Sequence, residues 1–246
     1  MKERARWYSE RVEQDVTVVR WGHVGTPILI FPTAGGDAEE IERFQMISAL
    51  AEYLEEGRIK VYSCDSVAGR EMLSEQRSPG HRMWLMNQFQ EFIRRELVPW
   101  IRLDCRTDDI GVITAGASIG AFNALAAVCR YPDVFTAAIC MSGTYDLQRF
   151  LKTRPNLDFL YASPTHWLPG FTDEEHLAQL RRRFVLLASG EGRAEDIGES
   201  WRTAEVLGSK EIPNRVDSWG PEWHHDWPTW RNMLHQYVPE MLDREG

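Results

Sequence analysis

Apolar and polar positions along the chain fall into two alternating rhythms. Short apolar runs rich in β-branched residues, at Val16–Trp21, Pro27–Phe31, Ile59–Cys64, Ile110–Ala115, Thr136–Met141, Arg183–Ser189 and Arg215–Trp219, predict strands. Between them lie longer segments with apolar residues at helical spacing. One runs from Asp37, a good N-cap, to Gly57, a good stop, with Ile41, Phe44, Ile47, Leu50 and Leu54 along one stripe, and predicts a single helix. Met83–Leu103 and Ala121–Arg130 have the same character, as does a final segment from Pro228 to Leu242. Strands alternating with helices predict an α/β fold, with a mainly parallel sheet covered by helices on both faces and a single domain over residues 1–246. Residues 151–180, with three prolines and several aromatics, interrupt the alternation. Such a stretch reads either as a lid or loop insertion beside a site or as a long surface connection with a short helix.

The most informative break between rhythms is ITAGASIGAFNALAAV, residues 113–128. Gly116-Ala117-Ser118-Ile119-Gly120 fits G-x-S-x-G, placed after a predicted strand and before a predicted helix. A turn sharp enough to join them leaves no room for side chains two positions either side of the serine, which explains the glycines. The turn lifts the Ser118 hydroxyl above the carboxyl edge of the sheet and leaves the Ile119 N–H free for a developing oxyanion. A glycine-rich turn whose serine merely caps the next helix would show the same pentapeptide.

A serine becomes nucleophilic when a histidine, itself oriented by a carboxylate, takes its proton, and in this fold class the order is serine, acid, histidine. Glu191, Glu195 and Asp196 follow the strand candidate RFVLLASG, and His224 and His225 follow NRVDSWG. Loops at the carboxyl ends of parallel strands converge on one edge, so these groups can meet Ser118. His225 is preferred because it precedes Asp226-Trp227-Pro228, where Asp226 can cap the final helix and Pro228 suits its first turn. The loop FPTAGGD, residues 31–37, reads either as the second half of an oxyanion hole, through the Ala34 or Gly35 N–H and with Gly35 a candidate substrate contact, or as a simple tight turn. Trp219, Trp223, Trp227 and Trp230 lie near His225 in sequence and either wall a pocket, Trp223 foremost, or belong to the core. Asp65 and Ser66, at another strand end, either reach the site or satisfy a turn.

Composition narrows the classes. A 43% hydrophobic fraction is ample for one core, and a formal net charge of -9 argues against nucleic acid as partner. No run approaches the roughly 18 apolar residues of a spanning helix, and the N-terminus lacks a secretory apolar region. No membrane partner and a cytoplasmic location are therefore expected. Cys64, Cys105, Cys129 and Cys140 form no CxxC pair and read as structural thiols. The adjacent histidines lack a second ligand pair, the glycine pair lacks the lysine of a phosphate loop, and so no metal and no cofactor are expected.

ILIFPTAGGD, VYSCDSV, TAGASIGAFNALAAVCRYPDVFTAAICMSGTYDL, ASGEGRAED and WGPEWHHDWPTWRNML together resemble the esterase D-like branch of the α/β-hydrolases, over most of the chain. The family includes S-formylglutathione hydrolases, feruloyl esterases, siderophore esterases and mycolyltransferases. The elbow here lacks the His-Ser-Met core typical of the first of these. The resemblance implies an α/β-hydrolase fold and a serine esterase acting through an acyl-enzyme on a small or medium acyl ester. It implies Ser118 as nucleophile, His225 as base and, from the G-x-G-x-x-E-D form, Asp196 as acid with Glu195 its nearest rival. An acyltransferase using the same site and a non-catalytic binding protein are the alternatives, and a homo-oligomer is left open.

Overall fold

In the computed structural model, which describes residues 1–74 and 76–245, eight strands form one sheet. Gly246, the last residue of the expected domain, lies outside the described residues, as does Glu75. The strands are β1 (Lys2–Ser9), β2 (Gln14–Trp21), β3 (Thr26–Phe31), β4 (Ile59–Cys64), β5 (Val112–Ala117), β6 (Phe135–Met141), β7 (Phe184–Ser189) and β8 (Asn214–Ser218). Their spatial order is β1-β2-β4-β3-β5-β6-β7-β8. β1 pairs antiparallel with β2 and β2 antiparallel with β4, while every other pairing is parallel. Single-domain α/β architecture with a mainly parallel sheet is thus what the alternating rhythm predicts.

This order fixes where a site can form. The chain passes from β3 to β4 on one side, then crosses back over β3 to reach β5. Loops leaving the carboxyl ends of β3 and β5 therefore diverge, opening a crevice between them. The ends of β6, β7 and β8 continue along the same rim.

β1 is absent from the apolar rhythm because half of KERARWYS is charged. It is an edge strand, where charge discourages pairing with another chain, and its anchor is half-buried Trp7, 6.0 Å from Phe92 and 6.3 Å from Trp100.

Residues 37–57 do not form the single helix expected. Three short helices, Glu40–Arg43, Met46–Ala49 and Ala51–Glu55, replace it because Gln45 adopts φ 65°. A left-handed non-glycine residue costs about 1 kcal/mol. The bend turns Phe44 outward to stack on Trp227, at 4.2 Å and 2° between planes, while Ile41, Met46 and Leu50 stay buried.

The expected Met83–Leu103 helix starts earlier, at Pro79, where the Ser78 hydroxyl accepts from the His81 N–H at 3.2 Å. It runs to Cys105 through a π-helical turn at Ile93–Leu97. Pro99 explains the turn, since it has no N–H to donate and its ring crowds the preceding turn.

Residues 151–180 form short helices at Leu157–Ala162, Pro164–Trp167 and Glu174–Leu180. Leu151, Phe159, Ala162, Leu168, Leu177 and Leu180 are buried in the main core. Gln90 donates to the Ala162 carbonyl at 2.9 Å and Asn87 to Asp158 at 3.1 Å, seating the segment on helix Pro79–Phe92. Among the described residues no helix is long and apolar enough to cross a membrane. All four cysteines are free; burial pushes the Cys140 thiol up to about 12 and raises Cys64 and Cys129 as well.

Candidate active site

The residue between β5 and helix Ile119–Arg130 is Ser118, at φ 57° and ψ −122°. A non-glycine residue persists in that conformation only where its surroundings force it. The flanking glycines permit the tight packing that holds it: a Cβ on Gly116 would lie 2.3 Å from the Gly120 backbone, and one on Gly120 would lie 2.6 Å from the Phe31 carbonyl oxygen. The Ser118 N–H donates to Met141 O at 3.0 Å, and Ser118 O accepts from the Thr144 N–H at 3.2 Å, locking the turn to the end of β6. The hydroxyl makes no cap hydrogen bond, so Ser118 does not serve as the helix's side-chain cap. The residue is half-buried, at the carboxyl end of β5.

The acid beside His225 is Glu195, not Asp196. Glu195 Oε2 lies 3.5 Å from His225 Nδ1, an ion-pair distance somewhat longer than a closed hydrogen bond. Its carboxylate, 1% exposed, also accepts from the Ser142 hydroxyl at 2.5 Å and the Ser189 hydroxyl at 3.2 Å. Asp196 faces the other way. Its carboxylate accepts from the Gly198 N–H at 3.0 Å and sits 3.4 Å from Arg202, 59% exposed, because a residue immediately before helix Ile197–Gly208 is drawn into capping it. Glu191 caps nothing; its carboxylate accepts from the Ser218 hydroxyl at the exposed end of β8.

Backbone hydrogen bonds weld the histidine loop to the acid loop. Glu191 N–H donates to Gly220 O, Gly192 N–H to Trp223 O at 2.9 Å, and His225 N–H to Arg193 O at 3.1 Å. The approach is so close that a Cβ on Gly190 would fall 2.1 Å from the Trp223 carbonyl oxygen. His224 is part of this weld: its Nδ1 accepts from the Arg193 N–H at 3.0 Å. Asp226 accepts from the Thr229 N–H at 3.2 Å at the start of helix Trp227–Glu245, which steadies the histidine loop from the other side. The His225 ring meets buried Trp230 edge-on at 5.0 Å.

The loop after β3 is organised around a carboxylate that sequence reading missed. Glu40, buried, accepts from the Thr33 N–H at 2.7 Å and the Thr33 hydroxyl at 2.9 Å. Burial raises its pKa, against the pull of the two Thr33 donors. Gly36 N–H donates to Thr33 O at 3.1 Å, closing a turn with Ala34 and Gly35 at its corner. Asp65 is structural here: its carboxylate accepts from the Thr17 N–H at 2.8 Å and the Ala38 N–H at 3.1 Å, holding the same segment from beneath. Ser142 and Ser189 were likewise missed, since single serines at strand ends carry no motif.

The tryptophans divide. Trp230 is core and Trp227 stacks on Phe44. Trp223, a candidate substrate contact from sequence, packs edge-on against Trp219 at 4.7 Å. The two line a cleft of about 510 Å³ with Asp217, Gln236 and Tyr237 along the β8 edge, and Ser118, Glu195 and His225 are not among its walls. Among the described residues no group of histidine, cysteine or carboxylate side chains could hold a metal ion.

Residues 55–241 match a family model described as "Putative esterase". Among solved structures the fold is similar to a ferulic acid esterase, at TM-score 0.76 and 16% identity, covering 99% of this chain and 98% of that one. It is similar to an S-formylglutathione hydrolase from Agrobacterium tumefaciens, at 0.70 and 13%, covering 100% and 96%. It is also similar to FphF, a fluorophosphonate-binding serine hydrolase of Staphylococcus aureus, at 0.69 and 12%, covering 98% of each chain. Among curated proteins no sequence matches. With most of its length covered by the family model, the chain belongs to this esterase family, on an α/β fold similar to that of these solved structures.

Proposed function

We propose that Ser118, His225 and Glu195 act as a triad that hydrolyses a small or medium acyl ester through an acyl-enzyme. The observation that carries the reading is the buried Glu195 carboxylate, held by Ser142 and Ser189 and facing His225 Nδ1 at 3.5 Å, on the rim where Ser118 is strained into an elbow. With Nδ1 turned to the acid, Nε2 is the nitrogen left for the serine.

In this reading His225 Nε2 takes the Ser118 proton as Oγ attacks the ester carbonyl carbon, and the carbonyl electron pair moves onto oxygen. The Ile119 N–H and the Ala34 N–H, with Gly35 beside it, stabilise that oxyanion, and Glu195 stabilises the imidazolium. Collapse expels the alcohol, which leaves with the proton from His225. Water then attacks the acyl-enzyme by the same route, releasing the acid and restoring Ser118.

Ser118→Ala tests it. The variant should fold and lose p-nitrophenyl ester hydrolysis by about 10⁴-fold or more, together with fluorophosphonate labelling. Undiminished turnover in a folded Ser118→Ala protein would end the proposal.

A further inference from the structure

In the loop Pro32–Gly36, each backbone donor can be followed to its partner. Pro32 has none to give. Thr33 N–H is taken by Glu40 Oε2, and Gly36 N–H by Thr33 O. That leaves the Ala34 and Gly35 N–H groups without a protein acceptor among the described residues, at the corner of a turn whose start abuts the elbow, since a Cβ on Gly120 would lie 2.7 Å from Pro32 O. The selection is made from below. A single carboxylate accepts both donors of Thr33, one on each oxygen, so it fixes the threonine's backbone direction and its side-chain rotamer at once. The turn is moulded to that carboxylate: a Cβ on Gly36 would sit 2.4 Å from Glu40 Oε2 and 2.5 Å from Pro32 Cβ.

We propose that Glu40 is a positioning residue for the oxyanion hole, holding Thr33 so that the Ala34 N–H faces the developing charge. It touches no substrate and acts only through the loop. The inference rests on the triad reading above and adds to it the source of the hole's preorganisation. A carboxylate suits the task because its two oxygens, set apart and charged, can each take one of the Thr33 donors, where a hydroxyl would offer both the same single uncharged oxygen. Without it, Thr33 N–H and Oγ1 lose their partners in a half-buried setting, and the turn relaxes toward water or another acceptor. Displacement of a reacting-site donor by about 1 Å is enough to cost roughly 10²-fold in rate.

The experiment uses the full chain and a p-nitrophenyl acyl ester. Glu40→Ala should lower kcat about 10²-fold while KM changes by less than about threefold, because the lost interaction exists in the transition state alone. Glu40→Gln can accept from the Thr33 N–H through its carbonyl and donate to the Thr33 hydroxyl, so it should restore kcat to within about fivefold of wild type. A kcat for folded Glu40→Ala close to wild type would overturn the inference, as would Glu40→Gln as slow as Glu40→Ala, or a loss confined to KM. If Glu40→Ala does not fold, Thr33→Val, which deletes the hydroxyl bond and keeps the N–H, should still reduce kcat several-fold at unchanged KM. An unaltered kcat in that variant would be equally fatal. A wild-type protein that neither turns over ester nor labels at Ser118 would remove the triad reading and this inference with it; normal wild-type turnover with an indifferent Glu40 removes the inference alone.

Discussion

Glu195 and Asp196 are adjacent carboxylates of the same charge, and replacing each by its amide separates the contact with His225, which the proposed triad needs, from capping of a helix. Glu195→Gln replaces a buried acceptor that faces His225 Nδ1 and two serine hydroxyls. The amide cannot stabilise an imidazolium and presents an N–H₂ group to neighbours that are donors. Loss of the orienting carboxylate in a serine triad costs about 10⁴-fold in kcat, which at 1.36 kcal/mol per decade is about 5 kcal/mol of transition-state stabilisation. Asp196→Asn retains an N-capping oxygen, because Asn and Asp cap about equally well. It loses only an exposed pairing with Arg202 at 3.4 Å, of a type worth about 0–1 kcal/mol to stability and nothing to the reaction. The assay is kcat/KM for p-nitrophenyl acetate and butyrate, with circular dichroism confirming that both variants fold. Glu195→Gln should fall by several orders of magnitude and Asp196→Asn should stay within about twofold of wild type. The reverse ranking would show that the acid loop rearranges in the working enzyme, and the geometry argued above would be wrong for catalysis.

Two further expectations concern the scaffold. Gly116→Ala and Gly120→Ala each press a methyl group into backbone, at 2.3 and 2.6 Å, and should destabilise by about 1–3 kcal/mol or more in urea unfolding, whereas Gly208→Ala, with nothing within 4 Å, should be neutral or slightly stabilising. Equal effects at the three positions would refute the crowding argument. Asp104 accepts from Lys60 at 2.6 Å and from the Tyr62 hydroxyl at 2.6 Å, and these donors hold its carboxyl below the usual 3.8 despite partial burial. A depressed folded pKa means stability that is present above pH 3.8 and lost as pH falls through the lower folded value. Asp104→Asn should therefore destabilise at pH 7 by about 2 kcal/mol, less than the ~3–5 of a fully buried pair because Asp104 keeps 19% of its side-chain surface exposed. The deficit should shrink in acid; a deficit that is constant from pH 7 to pH 3 would contradict the assignment.

Much of the architecture was legible because each relevant signal was local. Seven of the eight strands announced themselves as apolar runs, and Ser118 stood out because sterics allow little but glycine around it. What escaped depended on tertiary partners. β1 reads as a charged tail until β2 pairs with it. The bend at Gln45 is invisible to a periodicity that sees Phe44 only as an apolar residue on a stripe, since its stacking partner Trp227 lies far along the chain. The π-helical turn before Pro99 was signalled by the proline, yet the surrounding apolar pattern is equally compatible with a helix that ends there.

The carboxylates show why a site is harder to read than a fold. Glu40 follows Glu39, and Glu195 precedes Asp196; in each pair one member reaches solvent and the other is buried against a loop of the rim. Glu39 pairs with Lys2, and Asp196 caps a helix. Composition and spacing treat the members of a pair alike, and the G-x-G-x-x-E-D form, read through the family resemblance, points to Asp196 with Glu195 only as its rival. Side-chain length distinguishes them in the second pair. An aspartate immediately before a helix has a chain short enough to reach its own backbone N–H two residues on, and that local bond claims it. A glutamate one residue earlier has no such local acceptor role, and its extra methylene carries the charge inward to Ser142, Ser189 and His225. Capping and catalysis compete for carboxylates at the ends of parallel strands, where helices begin and sites converge. The acid left without a local donor is the one available to the site.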